Sequence, residues 1–107
     1  MASESTLIAP ALSGKALRRA IRDKFAKFLN LDRYDVFIFG SEVGGRESSR
    51  SDIDVGVLGP EPVPGATLQQ IREELQTLRT LRTFDVVDFS RVDQSFKAVA
   101  LQHVEKL

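Results

Sequence analysis

Hydrophobic positions change period several times along the chain. From about Ser13, the residues Leu17, Ala20, Ile21, Phe25, Phe28 and Leu29 recur at helical spacing. The spacing predicts a first helix, capped by Ser13 and stopped near Asn30. A β-rich apolar run, 34–39, then ends in Gly40-Ser41, and a second such run covers 52–58. Between 59 and 65 the sequence Gly-Pro-Glu-Pro-Val-Pro-Gly excludes helix and central strand, and reads as a stiff connector. Thr67 and Gln70 form a capping-box pattern ahead of a stripe of Leu68, Ile71, Leu75 and Leu78. A third β-like run, 83–89, precedes a last helix opened by Ser90 to Asp93. That helix aligns Val92, Phe96, Val99, Val104 and Leu107 and places His103 in its middle, where no role is assigned to it. The order α-β-β-α-β-α predicts an α/β fold of the α+β type. Its small mixed sheet has about three strands, with helices packed on one face.

At 107 residues the chain is read as one domain, 1–107, whose Ser-, Ala- and Pro-rich positions 1–11 form a loose arm. No run approaches the roughly 20 apolar residues of a membrane span. The start of the chain lacks the basic opening and long apolar core of a secretion signal. Without cysteine there is neither a disulfide framework nor a thiolate metal site, so a cytoplasmic location is expected. Fifteen basic side chains balance fifteen acidic ones. A zero net charge argues against non-specific nucleic-acid binding. Lys15, Arg18, Arg19 and Arg22, with Lys24 and Lys27 beyond, give the first helix a basic face. It reads as a solvated surface first, and as a dock for an acidic partner, a polyphosphate or an RNA end second.

The candidate chemistry lies in 34–58. Successive strand side chains alternate faces, so Asp52 and Asp54 share one face while Ile53, Val55 and Val57 share the other. Two carboxylates side by side suit magnesium, a hard cation that takes one or two carboxylates together with substrate phosphates. Gly40-Ser41 offers backbone amides and a hydroxyl to such phosphates. A third acid would complete a two-metal arrangement for in-line phosphoryl displacement. Asp85, embedded between Phe84 and Val86, is favoured for it, since an acid in an apolar run is costly unless a cation or hydrogen bonds offset its burial. Asp88, three residues on and facing the other way, is the competitor at the strand's end.

Gly40-Ser41, ten intervening residues, Asp52-Ile53-Asp54 and then Phe84-Asp85-Val86 together resemble the nucleotidyltransferase superfamily that includes DNA polymerase beta. The similarity is greatest to its smallest members, the minimal nucleotidyltransferases. The resemblance implies a palm-like sheet in which Asp52 and Asp54 bind two Mg2+ ions. It implies that Asp85 ligates one of them and helps deprotonate an acceptor hydroxyl. Ser41 and the amides after Gly40 would hold the β- and γ-phosphates of a nucleoside triphosphate, ATP by expectation. Transfer would leave a nucleoside monophosphate on the acceptor and release pyrophosphate.

Many relatives carry Arg directly after Gly-Ser, where this chain has Glu42; Arg46 or Arg50 is then the candidate to reach the triphosphate. The chain is too short to hold acceptor-selecting domains, so a partner must present the acceptor. The resemblance implies a small helical HEPN-type toxin, with this chain as its antitoxin. The rival reading is a catalytically weak or inactive module of the same fold that docks a partner. Leu7 and Ile8 in the arm make self-association or a heteromer a further expectation.

Overall fold

The computed structural model describes residues 11–40, 43 and 52–107. The arm before Ala11, and with it Leu7 and Ile8, lies outside the described residues, as do Ser41, Glu42, Arg46 and Arg50. In chain order the elements are α1 (Gly14–Ala26), β1 (Asp35–Phe39), β2 (Asp52–Leu58), α2 (Gly65–Leu75), β3 (Thr83–Asp88), α3 (Gln94–Ala100) and β4 (Val104–Lys106).

The sheet is mixed, with strand order β3-β2-β1-β4. β1 runs antiparallel to β2 and to β4, whereas β2 and β3 are parallel and joined through α2. Alternation along the strands builds two cores. On one face Val36, Ile38, Ile53, Val55, Val57 and Val86 meet Leu17, Ile21 and Phe25 of α1 and Leu68, Ile71 and Leu75 of α2. Those helical residues fall at i, i+4 and i+8, or i, i+3 and i+7, which is why each helix buries one stripe. Lys24 and Lys27 both reach Glu74, at 2.9 and 2.8 Å, and tie the two helices together at their exposed edge.

The second face carries Phe37, Phe39 and Phe89, buried and packed edge to face. Ala100 and Leu101, at the end of α3, cover them. Gly56 makes the room: a Cβ there would fall 2.4 Å from Phe37 Cε2 and 2.7 Å from Phe89 Cε1. Thus α3 lies opposite α1 and α2, and the sheet is covered on both sides where helices on one face were expected.

The other differences from the sequence reading concern element ends. The last helix stops at Ala100, and Val104 pairs with Phe39 in a fourth strand rather than continuing an apolar helical stripe. The cause is the open edge of β1, whose backbone groups need partners that a helix cannot give. His103 therefore sits in the turn before β4. α2 begins at Gly65 after Pro64, so Thr67 already lies within its first turn and cannot cap it. Ser13 is the N-cap position of α1, but its side chain makes no capping hydrogen bond. Asp93, not Ser90, caps α3, its Oδ1 accepting from the Phe96 amide at 2.8 Å.

Asp88 has a structural task. Its buried carboxylate accepts from the amide of Val63 at 2.9 Å, from the amide and hydroxyl of Ser90 at 3.0 and 2.7 Å, and from Arg91 Nε at 3.3 Å. Arg91 Nη2 then donates to the Val63 carbonyl at 2.8 Å, so the proline-rich connector is clamped to the end of β3. Burial alone would push the Asp88 carboxyl up, but the hydrogen bonds from Ser90, Val63 and Arg91 together outweigh it and hold it below the ordinary carboxylate range. A depressed folded-state pKa contributes stability that is present above about pH 4 and is lost as pH falls through the lower, folded value. Asp88→Asn is expected to cost about 2–3 kcal/mol near neutral pH. It should also flatten the acid limb of a stability–pH curve measured by urea unfolding. An unchanged acid limb would show that the clamp is not the acid-sensitive element.

A candidate nucleotidyl-transfer site

The site is built by strand register. The parallel pairing of β2 with β3 sets Asp52 beside Thr83 and Asp54 beside Asp85. The antiparallel pairing with β1 sets Phe39 on the other side of Asp54. All these residues share the face opposite α1 and α2, at the end of the sheet that α3 leaves open. Asp52 and Asp54 are half-buried, while Asp85 is exposed. The burial expected for Asp85 between two apolar neighbours is therefore absent. β3 is an edge strand, and at Asp85 its outer face is uncovered, so the carboxylate stays in water at no desolvation cost. The same alternation separates Asp85 from Asp88: Asp88 turns to the helical side and is held in the clamp, whereas Asp85 stands on the face of Asp54.

Gly40 ends β1 with φ +79°, a left-handed conformation that side chains with a Cβ rarely adopt. A Cβ at this position would lie 2.5 Å from Asp54 Oδ2. The backbone of the turn and the Asp54 carboxylate are thus held in close approach, which requires glycine for both conformation and space. Gly40→Ala should cost about 1–2 kcal/mol from backbone conformation alone and displace the Asp54 carboxylate. The check is a thermal melt paired with an assay of magnesium-dependent nucleotide binding; unchanged values in both would refute the close approach.

The donor set, carboxylate oxygens on adjacent strands beside a glycine turn, fits a hard divalent cation. Register brings the three acids to one face without closing them on one point. Among the described residues no group of three or more His, Cys, Asp or Glu is already gathered to hold an ion. Ser41, Arg46 and Arg50, expected to meet the phosphates, lie outside the described residues. His103 lines, with Gly40, Asp54 and Phe39, a hollow beside the acids.

The comparisons with known proteins bear on this geometry. No curated protein matches the chain by sequence. Among solved structures, a toxin-antitoxin crystallised with AMP-PNP superposes with a TM-score of 0.66 at 17% identity, covering 82% of this chain and 69% of that one. A toxin-antitoxin MntA-HpeT mutant gives 0.64 at 17% identity, over 84% and 69%. A tri-AMPylated Shewanella oneidensis HEPN toxin in complex with MNT antitoxin gives 0.57 at 17% identity, over 83% and 70%. At such identities these likenesses establish the fold. The family model described as polymerase beta, nucleotidyltransferase, matches residues 23–107, which include both strands that carry the acids. The chain shares its fold with these toxin–antitoxin structures and belongs to the polymerase beta-type nucleotidyltransferases.

Proposed function

We propose that this chain is a magnesium-dependent nucleotidyltransferase that moves a nucleoside monophosphate, AMP from ATP, onto a hydroxyl of a HEPN-type partner protein and so acts as its antitoxin. The observation that carries the reading is the register that sets Asp54 between Phe39 and Asp85, next to the left-handed Gly40 turn. Family membership and the neighbouring toxin–antitoxin structures support it.

Asp52, Asp54 and Asp85 would hold magnesium, which when bound supplies positive charge to a phosphate oxygen and offsets charge gathering there during displacement. The chain's own groups do the rest. Gly40 and Ser41 would offer amides to the β- and γ-phosphates, and Arg46 or Arg50 would supply the charge of the arginine that Glu42 replaces. Asp85, in water and on the edge strand, can receive the proton of an incoming hydroxyl. The attacking oxygen and the leaving pyrophosphate then stand on opposite sides of the α-phosphorus. Positioning and charge stabilisation supply the acceleration. The domain 1–107 acts in this reading as the catalytic unit, and the partner brings the acceptor.

The test is incubation with labelled ATP, magnesium and a candidate partner. Label on the partner, lost in the Asp52→Ala, Asp54→Ala double variant, is the expected result. Transfer that survives the double change places the chemistry elsewhere. Absence of transfer, with the partner still bound and inhibited, would make the chain a docking module.

A further inference from the structure

The stretch 78–83 reads Leu-Arg-Thr-Leu-Arg-Thr, and its two leucines have opposite fates. Leu78 packs against the helical core, whereas Leu81 is 92% exposed, more than any other large apolar side chain among the described residues. The turn that carries it is braced. The Thr80 amide donates to the Leu78 carbonyl at 2.9 Å, the Arg82 amide to Thr80 Oγ1 at 3.1 Å, and the Leu12 amide to the Arg79 carbonyl at 2.7 Å. Leu81 is thus held in water by a built turn, with little order left to gain on contact. A lone exposed leucine means little. This one sits between Thr80 and Arg82, which line a hollow of about 390 Å³ together with Arg72, Leu75, Leu78 and Phe84. No acid occurs between Glu74 and Asp85, while Arg79 and Arg82 fall in that stretch. Glu74 itself is taken up by Lys24 and Lys27. Arg72 gives one donor to the Val86 carbonyl, at 3.1 Å, of the five that a guanidinium has. The surface is apolar at its centre and cationic at its edge, the make-up of a protein-binding patch.

Register says what comes to this patch. Thr83, which also lines the hollow, pairs with Asp52, and Asp85 lies two residues further along the same strand. β3 is an edge strand, so no further strand stands between it and a molecule arriving from outside. In the proposed transfer Asp85 takes the proton of the incoming hydroxyl. A protein carrying that hydroxyl therefore comes over β3, and the 76–82 turn is the ground it meets beside the acids. Charge and shape say which kind of segment fits. Guanidinium groups at the rim call for carboxylates, which they bind in a planar fork. The apolar lining and Leu81 call for an apolar side chain. An RNA backbone would satisfy the arginines but leave the leucines and Phe84 uncovered.

We infer that the 76–82 turn and the hollow beside it dock the protein that presents the acceptor, through a segment with carboxylates around an apolar side chain. This rests on the nucleotidyl-transfer reading above. The experiment is steady-state transfer of label from ATP to the HEPN-type partner by the full chain, with partner and ATP varied separately. Leu81→Asp, at a position exposed in the folded chain, should keep the melting temperature. It should raise the KM for the partner about tenfold or more and leave the KM for ATP and kcat unchanged. Arg79→Glu, at the exposed rim, should raise the same KM about three- to tenfold and flatten its rise with salt. An unchanged partner KM in Leu81→Asp overturns the proposal, as does an equal rise in both KM values. A partner KM indifferent to salt and to Arg79→Glu overturns the acidic character given to the segment. A chain that self-associates in light scattering, and is separated by Leu81→Asp, gives the patch to a second copy and also overturns it. If the unaltered chain transfers no label, the transfer reading falls and takes this one with it. If it transfers while Leu81→Asp is indifferent, this one falls alone.

Discussion

Asp54→Asn should lower transfer of label from ATP by about 10²- to 10³-fold or more, the loss seen when one preorganised electrostatic group is removed from a transition state. The substitution keeps shape and volume and removes one negative charge, so the melting temperature should hardly move. Asp54 is the pivot because β1 and β3 both bring a site element to it: Phe39 and the Gly40 turn on one side, Asp85 on the other. Asp85→Asn should also cut transfer, but with nucleotide binding less affected, since the proposed mechanism gives it the incoming hydroxyl. Asp88→Asn supplies the contrast. It belongs to the clamp on the opposite face, and at a temperature where the variant stays folded it should transfer at nearly the unaltered rate. An Asp88 variant that is folded and inactive, with Asp85→Asn active, would reverse the assignment of the third acid.

Phe89→Ala should cost about 3–5 kcal/mol, the range for emptying a buried aromatic site. Phe89 is fully buried at the centre of the second core, with ring centroids 5.0 Å from Phe37, 5.1 Å from Phe39 and 5.8 Å from Phe96. Three edge-to-face or tilted contacts are lost at once, and Gly56 beneath has no side chain to fill the void. For a domain of this size the melting temperature should fall by roughly 15 °C or more. The loss should also be local in character. α3 contributes no fully buried residue of its own and depends on this cluster, so its amides should lose hydrogen-exchange protection before those of α1 and α2. A cost under about 1 kcal/mol would mean that the two faces of the sheet do not form separate cores.

The difference between these two cores also separates what the sequence made legible from what it hid. Alternation in 52–58 reported which residues share a face, and the helical stripes of α1 and α2 reported what covers the other one. Both are short-range periodic signals. The adjacency of Asp54 and Asp85 is set by a one-residue choice of register between strands some thirty positions apart, and no periodicity within either strand encodes it. Family resemblance named Asp85 where local chemistry argued from burial, and that burial is not there. β4 was illegible for a different reason. Three residues are too few to display a period of two, and Val104 and Leu107 happen to continue the spacing of Phe96 and Val99. Missing that strand moved His103 into a helix and away from the hollow it lines. The capping pattern at Thr67 failed because Val63, buried and bonded to Asp88, fixes where the chain can begin to coil.

β4 has a further consequence. Val36 to Phe39 form the most apolar strand of the sheet, buried throughout, and its outer row of amides and carbonyls is covered by a partner of only three residues. That partner is charged. Glu105 is gripped by Arg18 at 2.7 Å, and Lys106 meets Asp35 at 3.0 Å. Charges on a short rim strand discourage another molecule from adding to it, so β4 works as a guard against aggregation as much as a piece of the sheet.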